Sequence, residues 1–264
     1  QQDGGQWDMV VALFQKYGVV PKDIYPESIS SSASRELDQY LNKILRQDAQ
    51  ILRDLIQNGV DVAAKKAELL QEIFNYLAMT LGLPPQKFDF EYRDKDDQFH
   101  KFEDITPQAF YEKFVDIKLD DYVSVINAPT TDKPYNKSYT VEFLGNVIGA
   151  RDVRHLNVEM DRFKKLAIAQ MQAGETVWFG CDVGQVSNRQ DGLLTMDAYD
   201  FSAMDLDFTQ DKASRLDYSE SLMTHAMVLT GVDLDAAGNS LKWKVENSWG
   251  EKVGKKGYFT ASDA

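Results

Sequence analysis

An α+β fold is what this sequence of 264 residues predicts, and three observations predict it. Apolar residues recur every three or four positions between Ser34 and Leu81. The period changes to alternation at Phe88, and the stretch from Thr224 onward is built of strand-like runs separated by turns. Helices first and an antiparallel sheet last is the order of an α+β chain, not of alternating strand and helix.

The elements follow in order. Trp7, Val10, Val11 and Phe14 share one face of a helix over Gln6–Tyr17, which Gly18 ends. Val19-Val20-Pro21 and Tyr25-Pro26-Glu27 are extended or turned, because proline disfavours helix at the residue before it. Ser28–Ser34 is expected to be a polar linker. Leu37, Leu41, Ile44, Leu45, Ile51, Leu52, Leu55 and Ile56 mark one helix. Asn58-Gly59 breaks it, and Ala67, Leu70, Ile73, Phe74, Leu77 and Ala78 mark a second, making an αα-hairpin whose leucine stripe is expected to pack as core.

Phe88, Phe90 and Tyr92 then alternate, Asp94–Asp97 forms a polar turn, and Phe99 and Phe102 return as a second strand. Thr106-Pro107 opens a short helix, threonine capping and proline in the first turn. Strands are expected over Asp121–Asn127 and Lys137–Leu144, a helix over Met160–Met171 closed by Gly174, and a strand over Thr176–Cys181. Gly184–Gly192 and Asp197–Asp211 are expected to be surface loops. Strands close the chain at Thr224–Leu234, Leu241–Asn247 and Gly257–Thr260, the first two joined by Ala236-Ala237-Gly238-Asn239.

Composition removes several functions. A net charge of −13 opposes nucleic acid and anionic membrane surfaces, which need concentrated basic charge. No apolar run reaches the ~18 residues of a membrane helix. There is no His-Glu-x-x-His, Cys-x-x-Cys or glycine-rich phosphate loop, so neither a metal nor an organic cofactor is expected. His100 and His155 have no partner pattern and are expected at the surface. Cys181 is the single cysteine, so no intrachain disulfide is possible, and a reducing, cytoplasmic location is expected. Gln1 follows no basic or apolar leader and no initiator Met, so a piece of a longer protein is expected.

The chemistry is concentrated between Ser221 and Gly250. His225 starts an apolar strand and Asn247 ends the next. Folding the hairpin about Ala236 sets the two opposite each other, within one or two residues of register. An asparagine that holds one imidazole nitrogen aims the other at a reacting group without adding negative charge, which suits a thiolate–imidazolium pair. Taken alone, such a histidine is more often a satisfied core residue, and such an asparagine a turn residue.

Thr224-His225-Ala226-Met227 and Asn247-Ser248-Trp249-Gly250 resemble the histidine and asparagine motifs of papain-like cysteine peptidases. Asp3-Gly4-Gly5-Gln6-Trp7 resembles their double-glycine segment. Lys16-Tyr17-Gly18-Val19-Val20-Pro21, Val177-Trp178-Phe179-Gly180-Cys181-Asp182-Val183 and Gly257-Tyr258-Phe259 narrow the likeness to the aminopeptidase C / bleomycin hydrolase branch, over essentially the whole chain.

The resemblance implies a papain-like fold in one domain truncated at both ends. Residues 1–33 would be the cleft-lining segment and first helix, 34–82 a helical hairpin insertion, and 83–264 the rest of the insertion and the β-rich half. It implies His225 and Asn247 as catalytic residues of a cysteine-type aminopeptidase. Gly4, Gly5, Ala226 and Trp249 would bind substrate, Trp249 on the leaving-group side. The partners it implies are peptide substrates and, as a homohexamer, further copies of the chain. The nucleophilic cysteine and the oxyanion-hole glutamine would lie upstream, so the chain alone is expected to be inactive, with Cys181 a buried, inert thiol. A papain-like scaffold without catalysis is the alternative.

Overall fold

The computed structural model describes residues 4–115 and 117–263, which fall into two compact units. One contains Gln1–Tyr122 and Phe143–Val153, the other Val123–Glu142 and Arg154–Ala264. Asp3 of the double-glycine motif lies outside the described residues.

The first unit opens with helix α1, Trp7–Tyr17, which buries Val11, Ala12 and Asp8. Arg151 holds Asp8 through Nε at 2.8 Å and Asp120 through a terminal nitrogen at 3.0 Å. The expected linker contains a helical turn, α2, Ile29–Ser32. Ser28 Oγ accepts from Ser31 N–H and Ser31 Oγ accepts from Ser28 N–H. These reciprocal bonds fold a segment with no apolar period to signal it.

Helices α3, Arg35–Gln57, and α4, Ala63–Leu81, follow on either side of Asn58-Gly59. Their leucine stripe is not the core expected of it. The only buried residues of the pair are Asp48 and Leu69, while Leu45, Ile56, Leu70 and Phe74 are exposed. Periodicity identifies an amphipathic face, but burying that face needs a partner element.

Strands β1, Phe88–Arg93, and β2, Phe99–Ile105, form an antiparallel hairpin. Asp94 closes its turn by accepting from Asp96 N–H and Gln98 N–H. Helix α5, Pro107–Phe114, is capped by Thr106 Oγ1, which accepts from Ala109 N–H. Phe90, Phe110 and Phe114 lock hairpin to helix with centroid separations of 4.8–5.0 Å. His100 has a partner after all: its Nε2 is 2.7 Å from Asp94 Oδ2, and its ring stacks on Tyr92.

The second unit holds two sheets. The small one orders β3 (Ser124–Ile126), β5 (His155–Asn157) and β4 (Ser138–Tyr139) as β3-β5-β4, with β3 and β5 parallel. The two predicted strands are thus much shorter than expected, and β5 was not foreseen. Fully buried Asn157 fastens the adjoining loop: its side chain accepts from Ala128 N–H and donates to Ala128 O and Lys133 O. His155 is buried rather than at the surface, with Nδ1 2.7 Å from Ser124 Oγ.

Helix α6, Met160–Gln172, precedes β6, Val177–Cys181. After it come β7, Ser187–Asn188, and β8, Leu193–Leu194. Helix α7, Lys212–Asp217, leads to β9, His225–Leu234, β10, Ser240–Glu246, and β11, Tyr258–Ser262. The sheet runs β6-β9-β10-β11-β8-β7. Met227, Leu229, Trp243, Val245 and Phe259 form its core together with Ala167 and Ile168 of α6. Among the described residues no helix is long and apolar enough to cross a membrane.

Candidate active site

The second unit brings three of the predicted residues together. His225 begins β9, next to the edge strand β6, where it pairs with Cys181. Asn247 follows β10, and its N–H donates to Gly257 O. The last β9–β10 pair is Glu246↔Val228, so continuing the register sets Asn247 opposite Met227, two residues from His225. The side chains bridge that offset: His225 Nε2 lies 2.9 Å from Asn247 Oδ1.

Asn247 is buried, at 9% exposure, and its orientation is fixed independently of the histidine. Oδ1 also accepts from Ser248 N–H at 2.8 Å. An atom that accepts from a backbone N–H is the amide oxygen. It therefore takes a proton from the imidazole too, so Nε2 carries hydrogen and the neutral ring keeps its lone pair on Nδ1. A ring held this way accepts a proton at Nδ1 and returns it there, which is what a general base and acid requires. Asn247 Nδ2 is buried without a hydrogen-bond partner among the described residues.

Trp249 stacks on the imidazole with centroids 4.9 Å apart and planes 20° apart. It meets Phe259 edge-on at 5.7 Å, which ties the stack to the core. The Arg189 guanidinium also lies over the indole, 4.2 Å from the ring centre. Sequence reasoning passed over Arg189; its surroundings read only as a polar loop, with no motif to single it out.

Ala226 pairs with Gly180 of β6. Strand alternation directs it to the opposite face of β9 from His225, Met227 and Leu229. Gly4 and Gly5 belong to the first unit, just before α1, and a Cβ built on either meets nothing within 4 Å. Cys181 is half-buried where a buried thiol was expected, and desolvation, with Asp182 adding to it, pushes its thiol up to about 11. At neutral pH it is a protonated thiol, unsuited to nucleophilic attack. No group of three or more His, Cys, Asp or Glu among the described residues is arranged to hold a metal ion.

The family model described as "Peptidase C1-like family" matches residues 1–264. The chain is 74% identical over 268 residues to aminopeptidase C of Streptococcus thermophilus, covering 100% of this chain and 60% of that relative. To bleomycin hydrolase of Rattus norvegicus it is 42% identical over 273 residues, covering 99% and 60%. The solved structure of pepw from Lactobacillus rhamnosis hn001 superimposes with a TM-score of 0.95 at 60% identity, covering 100% of this chain and 60% of that one. The chain thus spans 60% of the length of the relatives it matches.

Proposed function

Starting from the fact that this chain belongs to the Peptidase C1-like family, we propose that it supplies the histidine and asparagine of a cysteine-type aminopeptidase. The observation that carries this is the doubly fixed amide: Asn247 Oδ1 holds both Ser248 N–H and His225 Nε2, leaving Nδ1 for a thiol. The nucleophilic cysteine and the oxyanion-hole glutamine are placed upstream of residue 1.

In this mechanism the thiol cedes its proton to His225 Nδ1, and the thiolate adds to the carbonyl carbon of a peptide bond near the substrate's N-terminus. The C–N bond breaks as the imidazolium returns the proton to the leaving amine. Water then loses a proton to Nδ1 and attacks the thioester, which releases the acid and restores the thiolate. Asn247 positions the ring throughout, and Trp249 shields one of its faces. Gly4, Gly5 and Ala226 are assigned to the substrate's N-terminal side and Trp249 to the leaving group. Residues 34–82 are then an insertion in a papain-like core. A cytoplasmic homohexamer belongs to the same proposal, supported by the family resemblance and, for the compartment, by the single cysteine.

The test is thiol-dependent release of a fluorophore from an aminoacyl arylamide by the full-length protein, with His225→Ala alongside. Turnover by the wild type alone supports the assignment. A wild type inactive in reducing buffer, with its fold intact, would replace it with a papain-like scaffold that does not catalyse.

A further inference from the structure

We propose that Arg189 recognises a carboxylate of the substrate on the leaving-group side, which makes the preferred substrates short peptides with a free C-terminus. The inference rests on the aminopeptidase reading and deepens it.

The guanidinium and the imidazole share one indole, their centres 4.2 Å and 4.9 Å from it. They are therefore no more than about 9 Å apart, a span of two to three residues of extended chain at ~3.4 Å each. An acceptor on the leaving group two residues beyond the cleaved bond therefore comes within reach. A guanidinium offers five N–H donors in a planar fork matched to a carboxylate. Among the described residues, the contact made by Arg189's side chain is this stack, with no carboxylate within ion-pair distance. Its donors are therefore open to a ligand.

The residue is also held in place for that role. It lies in the turn between β7 and β8, where Asn188 Nδ2 donates to Asp191 Oδ2 at 2.8 Å and Asp191 N–H donates to Asn188 Oδ1 at 3.1 Å. The nearest acid of the turn, Asp191, is thereby engaged elsewhere. Arg189 O accepts from Gly254 N–H at 3.0 Å. That approach depends on Gly254, with φ 63°, because a Cβ there would stand 2.7 Å from Tyr258 O and 2.9 Å from the Phe259 ring. The loop carrying Gly254 also bears exposed Lys252, Lys255 and Lys256 against one exposed acid, Glu251, a local excess of positive charge on a chain of net charge −13. Positive charge concentrated beside the site on an otherwise acidic protein favours an anionic group there.

The experiment compares kcat/KM of the full-length enzyme for a tripeptide with a free C-terminus and for the same tripeptide amidated, in wild type, Arg189→Gln and Arg189→Lys. A third substrate, amidated but with aspartate at the last position, separates a terminal from a side-chain carboxylate. Wild type is expected to prefer the free acid. Arg189→Gln should cut the acid-to-amide ratio by about tenfold or more, as loss of charge-assisted hydrogen bonds requires. Arg189→Lys, which keeps charge without the fork, should fall between. If the aspartyl amide is preferred over the plain amide, and loses that preference in Arg189→Gln, the carboxylate chemistry stands with a side chain as its source. A ratio unchanged by Arg189→Gln overturns the assignment, whether all substrates slow equally or none does. An aminoacyl arylamide, which has no carboxylate, identifies failure of the parent reading: if wild type cannot cleave it, the aminopeptidase assignment fails and this inference falls with it.

Discussion

Replacing Asn247 with alanine removes one oxygen and orphans two donors, Ser248 N–H at 2.8 Å and His225 Nε2–H at 2.9 Å. Asn247 is only 9% exposed, so bulk water does not readily substitute. Each lost bond is worth ~0.5–1.5 kcal/mol net, which makes the stability cost about 1–3 kcal/mol. In the proposed mechanism the catalytic cost comes from the histidine bond alone. Without it the ring keeps its stack on Trp249 but loses the interaction that fixes its tautomer and directs Nδ1. Losing ~1–2 kcal/mol of orientation from the transition state lowers kcat by about 5- to 30-fold. KM should change by less than about twofold, because Asn247 acts through His225 and does not touch substrate.

The measurement is steady-state hydrolysis of an aminoacyl arylamide by the full-length enzyme, with thermal unfolding recorded in parallel. Asn247→Asp sharpens it. Asn247 Nδ2 donates no bond among the described residues, so the carboxylate keeps both accepted bonds and forfeits none. The aspartate variant should therefore retain more kcat than the alanine variant. A folded Asn247→Ala enzyme with kcat within twofold of wild type would refute the orienting role, as would a loss carried wholly by KM.

Three further outcomes follow from the same structure. Cys181, with its thiol pushed up to about 11 by burial and Asp182, should resist iodoacetamide at neutral pH in the folded protein and react once unfolded, and Cys181→Ala should retain activity. Gly18→Ala should cost at least ~2 kcal/mol in urea unfolding, since Gly18 has φ 74° and a Cβ there would stand 2.1 Å from the Pro107 carbonyl carbon. Burial alone would raise the Asp263 carboxyl, but hydrogen bonds from Lys164, Ser240 and Trp243 outweigh it and hold the group below its usual range. Its stabilising effect is therefore full above the ordinary carboxylate value of about 3.9 and disappears as pH falls through the lower folded value. Asp263→Asn should cost about 1 kcal/mol at neutral pH, a figure moderated by solvent screening, and flatten the acid limb of a melting-temperature profile.

What the sequence made legible was whatever has a local cause. The ends of α1, the Thr106 cap, the turn at Asp94 and the strands around His225 all follow from residues within a few positions of one another. In the small sheet β3-β5-β4, the extents of β3 and β4 and the existence of β5 were illegible because its strands are two or three residues long and owe their place to distant partners. Buried Asn157, reaching back to Ala128 and Lys133, holds them with polar bonds that leave no hydrophobic period. The same reason hid the burial of His155 against Ser124 and the stacking of Arg189 on Trp249. The half-exposed stripe of α3 and α4 is the converse case: the period was plain, but whether a face is covered depends on elements the period does not describe.

His225 and Asn247 meet although the register differs by two residues from a fold about Ala236, the limit of the expected tolerance. The hairpin was expected to fold about Ala236, but Asp235 Oδ1 accepts from both Ala237 N–H and Asn239 N–H at 2.8 Å. Asp235 N–H also donates to Asn239 O. These bonds centre the turn on Ala237 and slide the strands by two residues. The small shifts between Ser240 and Lys242 and between Lys244 and Val245 cancel, leaving that offset at the far end. Because side chains alternate with a period of two, a slip of two keeps every residue on its original face. It turns a direct neighbour into a diagonal one, roughly 7–8 Å away across the strands and still within reach of long side chains. An imidazole and a carboxamide extend far enough to close it, and the structure shows them doing so at 2.9 Å. A slip of one residue would have sent Asn247 to the other face of the sheet. The meeting of His225 and Asn247 therefore depends on the parity of the turn more than on its exact centre, and a residue inserted between Asp235 and Asn239 should separate them where two inserted residues would be better tolerated.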